Sequence, residues 1–156
     1  MFAASIPNGW AGRSSVRVVL LSSIVAVIVA SDARSEGGGV LTVRFTGLEE
    51  SRGAVLFSVA GSRESFESEV EAPLLAEVPV DAAEESAVFE GLAPGEYAVK
   101  VFHDANGNQK LDIGMMGPKE KFGFSNNVMG FMGPPDFDDA KFEFDGRDLT
   151  IHIEAR

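Results

Sequence analysis

The sequence predicts an all-β fold, an antiparallel β-sandwich of about seven strands with one long irregular loop. Three observations lead to this prediction. Short segments alternate apolar and polar side chains with a period of two, turn residues separate them, and no long segment has a helical period. Short strands of this kind, spaced by turns, are typical of β-sandwiches.

The individual strands follow from the alternation. In residues 40–46, Leu41, Val43 and Phe45 share one face, which predicts a half-buried strand. Residues 54–60 are apolar on both faces, which indicates a central strand, whereas Pro79 favours an edge position for residues 74–80. The other predicted strands are residues 86–90, 96–103, 139–144 and 148–155, and residues 65–71 are predicted to hold a short helical turn.

The segment from residue 104 to residue 138 is the predicted long loop, rich in glycine, proline and asparagine. Ordered loops of this length are usually functional. Exposing large aromatic side chains to water is costly, so its four phenylalanines predict that the loop packs back onto the sandwich. They are Phe122, Phe124, Phe131 and Phe137.

The N-terminal segment has the organisation of a secretory signal peptide. Arg13 and Arg17 precede an unbroken run of apolar and small residues from 18 to 30, and Ala33 ends a small-residue exit. A membrane anchor is the alternative, but a spanning helix needs about 20 apolar residues. We therefore predict a signal peptide over residues 1–33, a flexible lead-in over 34–39 and the domain over 40–156. The predicted location is the periplasm or the exterior.

Charge and cysteine content narrow the function classes. Two of the 13 Lys+Arg and one of the 24 Asp+Glu lie within residues 1–33, so the remaining 123 residues carry a net charge of −12. Such an acidic surface repels nucleic acid and anionic lipid, and we expect neither as a partner. The absence of cysteine excludes thiol catalysis and Cys-ligated zinc.

One motif suggests a hard cation. Oxygen-bearing side chains recur at positions 1, 3, 5 and 9 of a candidate loop, as Asp104, Asn106, Asn108 and Asp112, and the backbone carbonyl near Lys110 offers another oxygen. This pattern resembles a calcium loop of the EF-hand or dockerin type, but Gln109 stands where the EF-hand has glycine and Met115 where it has glutamate. A chain of Asx-turns without metal is the alternative.

Two segments resemble a known family. They are residues 92–112 (LAPGEYAVKVFHDANGNQKLD) and 123–137 (GFSNNVMGFMGPPDF), and they are similar to the bacterial domain-of-unknown-function family numbered 2141. The resemblance covers about residues 40–153. It implies an exported sandwich of the transthyretin or carboxypeptidase-regulatory type with a Pro-Gly-x-Tyr hairpin, and it implies no established activity. A transthyretin-like urate-pathway hydrolase ends in Tyr-Arg-Gly-Ser, which the C-terminus here lacks.

Two further groups of polar residues have both a functional and a structural interpretation. His103 is a candidate general base or metal ligand, although a hydrogen-bonded histidine at the rim of the core is the preferred interpretation. Ser125, Asn126 and Asn127 either line a pocket or form a rigid turn that satisfies buried backbone groups, and we favour the turn. We assign no catalytic residue.

Three functions follow as hypotheses. The first is a non-enzymatic exported module, binding an unknown protein or small molecule or serving a structural role, with calcium in the loop. The second is a small hydrolase or isomerase that uses His103 and a loop carboxylate. The third is an adhesion or partner-binding domain that pairs through an edge strand. The first is the one the sequence favours.

Overall fold

The computed structural model describes residues 17–20 as a backbone strand, and residues 38–67 and 74–156 in full. Its main feature is two β-sheets. The first has the strand order β1 (Arg17–Leu20), β5 (Glu84–Leu92), β2 (Gly39–Thr46) and β11 (Leu149–Glu154). The second has the order β10 (Phe142–Phe144), β6 (Gly95–Asp104), β3 (Ala54–Ala60) and β4 (Leu74–Pro79), and β9 (Phe122–Phe124) also pairs with β6.

The predicted all-β, sandwich-like fold is confirmed. Among the described residues, every strand pair is antiparallel except β2 and β11, which run parallel with Leu41 opposite Leu149. The predicted central position of β3 is confirmed, because β3 lies between β4 and β6. β4 ends at Pro79 and lies last in its sheet, as predicted.

The core forms from the alternating side chains of both sheets. Leu41, Val43 and Phe45 are fully buried, as the sequence predicts for one face of β2. They belong to one cluster with apolar side chains of β3, β5 and β6. The main buried members from those strands are Val55, Phe57, Val59, Ala87, Phe89, Val99 and Val101. Burying these apolar surfaces is the dominant stabilising contribution.

The predicted strand over residues 139–144 is wrong in its first part. A short helix, α2 (Phe137–Ala140), precedes β10, which begins only at Phe142. Phe137 and Ala140 are both buried, and residues three apart lie on one side of a helical turn. The two buried residues are three apart, which fits a helical turn. The predicted strand had assumed that buried residues alternate with a period of two. The predicted helical turn over residues 65–71 overlaps the helix α1 (Arg63–Glu67), and its part from residue 68 onward lies outside the described residues.

A second, smaller core covers part of the second sheet. Phe66 of α1 stacks edge-on against Phe124 at 6.3 Å and against Phe137 at 5.9 Å between ring centroids. Ala60, Ala98 and Ala140 complete this cluster, and Phe122 packs against it. The long loop therefore folds back onto the sandwich through three of its four phenylalanines. The prediction is wrong for Phe131, which is 96% exposed.

The turn between β5 and β6 joins the two sheets. The family resemblance implied a Pro-Gly-x-Tyr hairpin here, but β5 pairs in the first sheet and β6 in the second. The hydroxyl of Tyr97 donates a hydrogen bond to the carbonyl of Ala93 at 2.9 Å, which is the arrangement of a tyrosine corner. Partial burial raises the pKa of the Tyr97 phenol. This turn therefore connects one sheet to the other and does not join two neighbouring strands of the same sheet.

At the N-terminus, β1 pairs with β5 inside the region predicted as a signal peptide. The predicted exit at Ala33 and the lead-in over 34–37 lie outside the described residues, so cleavage stays a prediction. Within the described ranges, no helix is long and apolar enough to cross a membrane.

Candidate functional site

The predicted cation loop begins at Asp104, the last residue of β6, whose side chain is 2% exposed. Its carboxylate accepts three backbone hydrogen bonds from the residues that follow. Oδ1 accepts from the N–H of Gly107 at 2.7 Å and of Asn108 at 3.1 Å, and Oδ2 from Gln109 at 2.6 Å. Because a buried carboxylate needs such partners, the chain curls around Asp104 as it leaves the sheet.

The two asparagines of the motif make equivalent contacts. Asn106 Oδ1 accepts from the N–H of Asn108 at 3.0 Å, and Asn108 Oδ1 accepts from the N–H of Lys110 at 2.8 Å. Both are Asx-turns. Their Nδ2 groups converge on Asp112, at 2.7 Å from Oδ2 for Asn106 and at 3.0 Å from Oδ1 for Asn108. The structure thus brings the predicted side chains together at one carboxylate.

The backbone at position six of the loop is left-handed. Gln109 has φ of 59°, a conformation that glycine adopts at little cost and that other residues adopt with strain. The sequence departs from the EF-hand pattern at this residue, but the backbone takes the sharp turn that glycine serves there. The three hydrogen bonds to the Asp104 carboxylate offset the strain.

Glu120 is a part of the site that the sequence analysis missed. A short hairpin of β7 (Ile113–Gly114) and β8 (Gly117–Pro118) returns the chain to the loop. The Glu120 carboxylate then accepts the N–H of Ala105 at 3.0 Å through Oε1 and the N–H of Asp112 at 3.0 Å through Oε2. No local pattern marks Glu120, because its position depends on the hairpin.

Met115 cannot supply the bidentate ligand of an EF-hand, and the sequence offers the aspartates at 136, 138 and 139 as other candidates for it. Asp138 is instead paired with Arg63 of α1 and with Lys141 at 3.2 Å. The hydrogen bond from Lys141, and then the charge of Arg63, lower the pKa of the Asp138 carboxyl. Asp138 therefore links α1 and α2.

The donor set defines what the loop is able to bind. Across residues 38–67 and 74–156, no three His, Asp or Glu side chains are grouped closely enough to hold a metal. A cation in this loop would rely on amide and backbone oxygens beside Asp104 and Asp112, which calcium accepts and transition metals do not favour. The alternative, Asx side chains that cap their own backbone, accounts for the backbone hydrogen bonds that Asp104, Asn106 and Asn108 accept.

A cleft of about 470 Å³ adjoins the loop, and Asn106, Asp112 and Glu120 are among the residues that line it. Its lining carries both charge signs. The ammonium of Lys121 lies 2.9 Å from Glu49, and this hydrogen bond lowers the pKa of the Glu49 carboxyl. A mixed and largely polar lining suits a polar or zwitterionic group better than an apolar one.

His103 borders the cleft but is only 3% exposed. Its Nε2 lies 2.6 Å from the carbonyl oxygen of Arg52. A carbonyl only accepts, so Nε2 carries the proton in this hydrogen bond. This geometry agrees with a hydrogen-bonded histidine at the rim of the core.

The segment Ser125–Asn127 forms a 3-10 helical turn that ties several elements together. Ser125 is buried, and its Oγ accepts the N–H of Val99 at 2.9 Å and donates to the carbonyl of Ala140 at 2.6 Å. Asn127 accepts the N–H of Glu154 at 2.8 Å. The turn that satisfies buried backbone groups, which the sequence analysis favoured, matches this geometry.

Replacing Ser125 by alanine is expected to lower the free energy of unfolding by about 1–3 kcal/mol, because the N–H of Val99 is then buried without a partner. Urea unfolding followed by circular dichroism measures this change. The control is Ser51→Ala at an exposed position, expected to stay within about 0.5 kcal/mol of the wild type. Equal effects of the two substitutions would contradict the role of Ser125.

The fold and the loop define a class of protein: an all-β, sandwich-like domain whose second sheet carries a long ordered loop with an acidic, amide-rich turn. The family model described as "Uncharacterized protein conserved in bacteria (DUF2141)" matches residues 43–152. The chain belongs to this family. Comparison with curated proteins and with solved structures finds no match. The family resemblance is thereby confirmed, while the transthyretin type and the export that it implied stay predictions.

Proposed function

We propose that this protein is a non-enzymatic, exported β-sandwich module whose loop from Asp104 to Asp112 binds calcium, with Glu120 supporting the loop. Calcium stabilises the loop, and the loop with the adjoining cleft forms the end that meets a protein or small-molecule ligand. The net charge of −11 disfavours nucleic acid and anionic membranes as partners.

The convergence on Asp112 carries the proposal. Two amide groups, from Asn106 and Asn108, approach the two oxygens of one carboxylate within 3.0 Å. The same three side chains, with Asp104, offer four oxygen-bearing groups within nine residues. Calcium accepts six to eight oxygens in flexible geometry, so backbone carbonyls such as that of Lys110, and water, complete its shell.

The preformed backbone also supports the proposal. Binding is weakened when a loop must be ordered at the same time, because that ordering opposes the binding free energy. Here Asp104 and Glu120 already hold the loop through five backbone N–H groups. The amide side chains of Asn106 and Asn108 then reorient from their Asx-turns to face the ion. Calcium then replaces two N–H donors as the partner of Asp112.

Calcium is expected to raise the thermal midpoint of the protein. If the ion binds only the folded state, a calcium concentration of about 100 times Kd stabilises it by about 2.7 kcal/mol. Differential scanning calorimetry with calcium, with a chelator and with magnesium measures the effect. Magnesium is expected to act more weakly, because it requires near-ideal octahedral geometry.

A matched pair of variants localises the effect. Asp112→Asn keeps the size of the side chain and removes its charge, and it is expected to lose most of the calcium-dependent shift. Asp81→Asn removes an exposed carboxylate outside the loop and is expected to keep the full shift. A thermal midpoint that is the same in calcium and in chelator would refute calcium binding.

The proposed export is tested separately. Arg13, Arg17 and the apolar run up to Ala30 support it. We expect the protein to be recovered outside the cytoplasm with Arg34 as its first residue, as determined by mass spectrometry of the purified chain. Recovery in the cytoplasm with an intact N-terminus would overturn the export proposal and leave the calcium proposal unaffected.

A further inference from the structure

The outer edge of β5 is the feature on which this inference depends. One edge of β5 pairs with β2 over the whole strand, from Gly39 opposite Leu92 to Thr46 opposite Glu84. The other edge pairs with the four residues of β1, in the register from Arg17 opposite Glu90 to Leu20 opposite Ala87. These four residues lie within the segment that we propose is removed on export.

The composition of β5 makes this edge a good acceptor of an added strand. Proteins protect edge strands with proline, with charged side chains such as lysine, or by keeping the strand short. β5 has nine residues and contains neither proline nor lysine, and its three glutamates, at positions 84, 85 and 90, lie outside the segment from Ala87 to Phe89. The edge of the second sheet differs, because β4 has six residues and ends at Pro79. Without β1, the N–H and C=O groups along the outer edge of β5 have no strand partner.

The register indicates which chemistry the edge accepts. Val18 and Val19 lie opposite Phe89 and Val88, in the middle of the paired segment. Arg17 lies opposite Glu90 in the register, so a basic residue at this position of an added strand is placed opposite an acidic one, a pairing that stabilises antiparallel strands. An aliphatic segment that follows a basic residue therefore fits this edge.

A second copy of the chain fits the edge less well. Each β5 strand carries Glu84 and Glu85 at one end and Glu90 near the other. Antiparallel pairing of two such strands opposes acidic ends to acidic ends, and like charges in opposed positions are destabilising. The net charge of the chain adds to this repulsion.

We infer that the outer edge of β5 is a β-strand acceptor site for an extended basic-aliphatic segment of a partner, and that residues 17–20 occupy this site until the leader is removed. The mode of binding is β-augmentation, in which backbone hydrogen bonds supply affinity and side-chain register supplies specificity. The claim that a partner segment replaces residues 17–20 rests on the proposed export. The claim that the edge of β5 accepts a strand does not.

The experiment uses the full chain with its leader, so that its outcome is independent of export. Val18→Pro with Val19→Pro is expected to free the edge, because one of two adjacent strand residues directs its N–H at β5 and proline has none. The probe is a fluorescent peptide with the sequence of residues 15–22, SVRVVLLS. We expect it to bind the double-proline variant and not the wild-type chain.

Two controls define the site. A peptide with proline in place of both residues that correspond to Val18 and Val19 is expected not to bind. Glu90→Lys, placed in the double-proline variant, is expected to weaken peptide binding roughly two- to five-fold. Failure of the variant to bind the unmodified peptide would overturn the proposal. If the double-proline variant instead forms concentration-dependent dimers that do not bind the peptide, the edge accepts a second copy of the chain, and the proposal of a basic-aliphatic partner is wrong.

A covalent test covers the case in which the proline variant does not fold. The chain has no cysteine, so Val19→Cys with Val88→Cys introduces one defined pair at opposed positions. We expect a disulfide to form under mild oxidation, because opposed strand residues lie within disulfide range. The control is Val19→Cys with Ser58→Cys on the other sheet, expected to stay reduced. Equal cross-linking of both pairs would contradict the pairing of β1 with β5.

Discussion

Replacement of Phe57 by alanine is expected to lower the free energy of unfolding by about 3–5 kcal/mol, the usual cost of removing a buried phenylalanine. Phe57 is fully buried in β3, opposite Ala76 of β4 and Val101 of β6. Its ring lies in the core shared by both sheets, so alanine leaves a cavity that neither sheet is free to close. Urea unfolding with linear extrapolation measures the loss.

Phe131→Ala is the matched control, because it removes the same atoms from a side chain that is 96% exposed. We expect its free energy of unfolding to stay within about 0.5 kcal/mol of the wild type. The pair also tests the correction to the sequence analysis, which placed Phe131 among the packed phenylalanines. A loss of several kcal/mol for Phe131→Ala would show that this ring is buried in solution.

Replacement of Gly53 by alanine is the second large effect, expected to cost about 2–5 kcal/mol. Gly53 has φ of 73°, and a Cβ built there would lie 2.0 Å from the carbonyl oxygen of Asp104. The clash is with a backbone atom, which cannot rotate away as a side chain can. The end of β6 and the turn before β3 must therefore move apart to accommodate the new methyl group. Because Asp104 begins the proposed calcium loop, we also expect the variant to lose calcium affinity, as measured by calorimetric titration.

Gly107→Ala separates backbone strain from close contact. Gly107 has φ of 75°, almost the value of Gly53, but an added Cβ would meet no atom within 4 Å. The Gly107→Ala variant is therefore expected to lose only about 1 kcal/mol in free energy of unfolding, the cost of placing an alanine in a left-handed conformation. Similar losses for the two variants would mean that the approach of Gly53 to Asp104 is looser than described.

The strands could be predicted because their side chains alternate. In β2, Leu41, Val43 and Phe45 are fully buried, and the side chains between them are more exposed. A strand with one buried face carries this pattern in its own residues, without reference to its partners. The prediction failed at residues 139–140, where two buried side chains three residues apart are too few to distinguish a helical turn from a strand.

The site was predicted only where its contacts are local. Asp104, Asn106, Asn108 and Asp112 are linked to each other and to the backbone between them, so their spacing contains most of the geometry. Glu120 contacts the loop because a hairpin returns the chain to it, and His103 contacts the carbonyl oxygen of Arg52, which lies in the separate turn before β3. Such partners depend on how strands are ordered in the sheets, which local patterns do not encode.

The sequence by itself determined the all-β class, most of the strands, the family and the side chains of the loop, because period-two burial and Asx-turns are properties of neighbouring residues. Only the tertiary structure decided the parallel pairing of β2 with β11, the second core around Phe66, the exposure of Phe131 and the strand beside β5. These features join residues far apart in the chain. Their geometry is set by the packing of two sheets and not by any single segment.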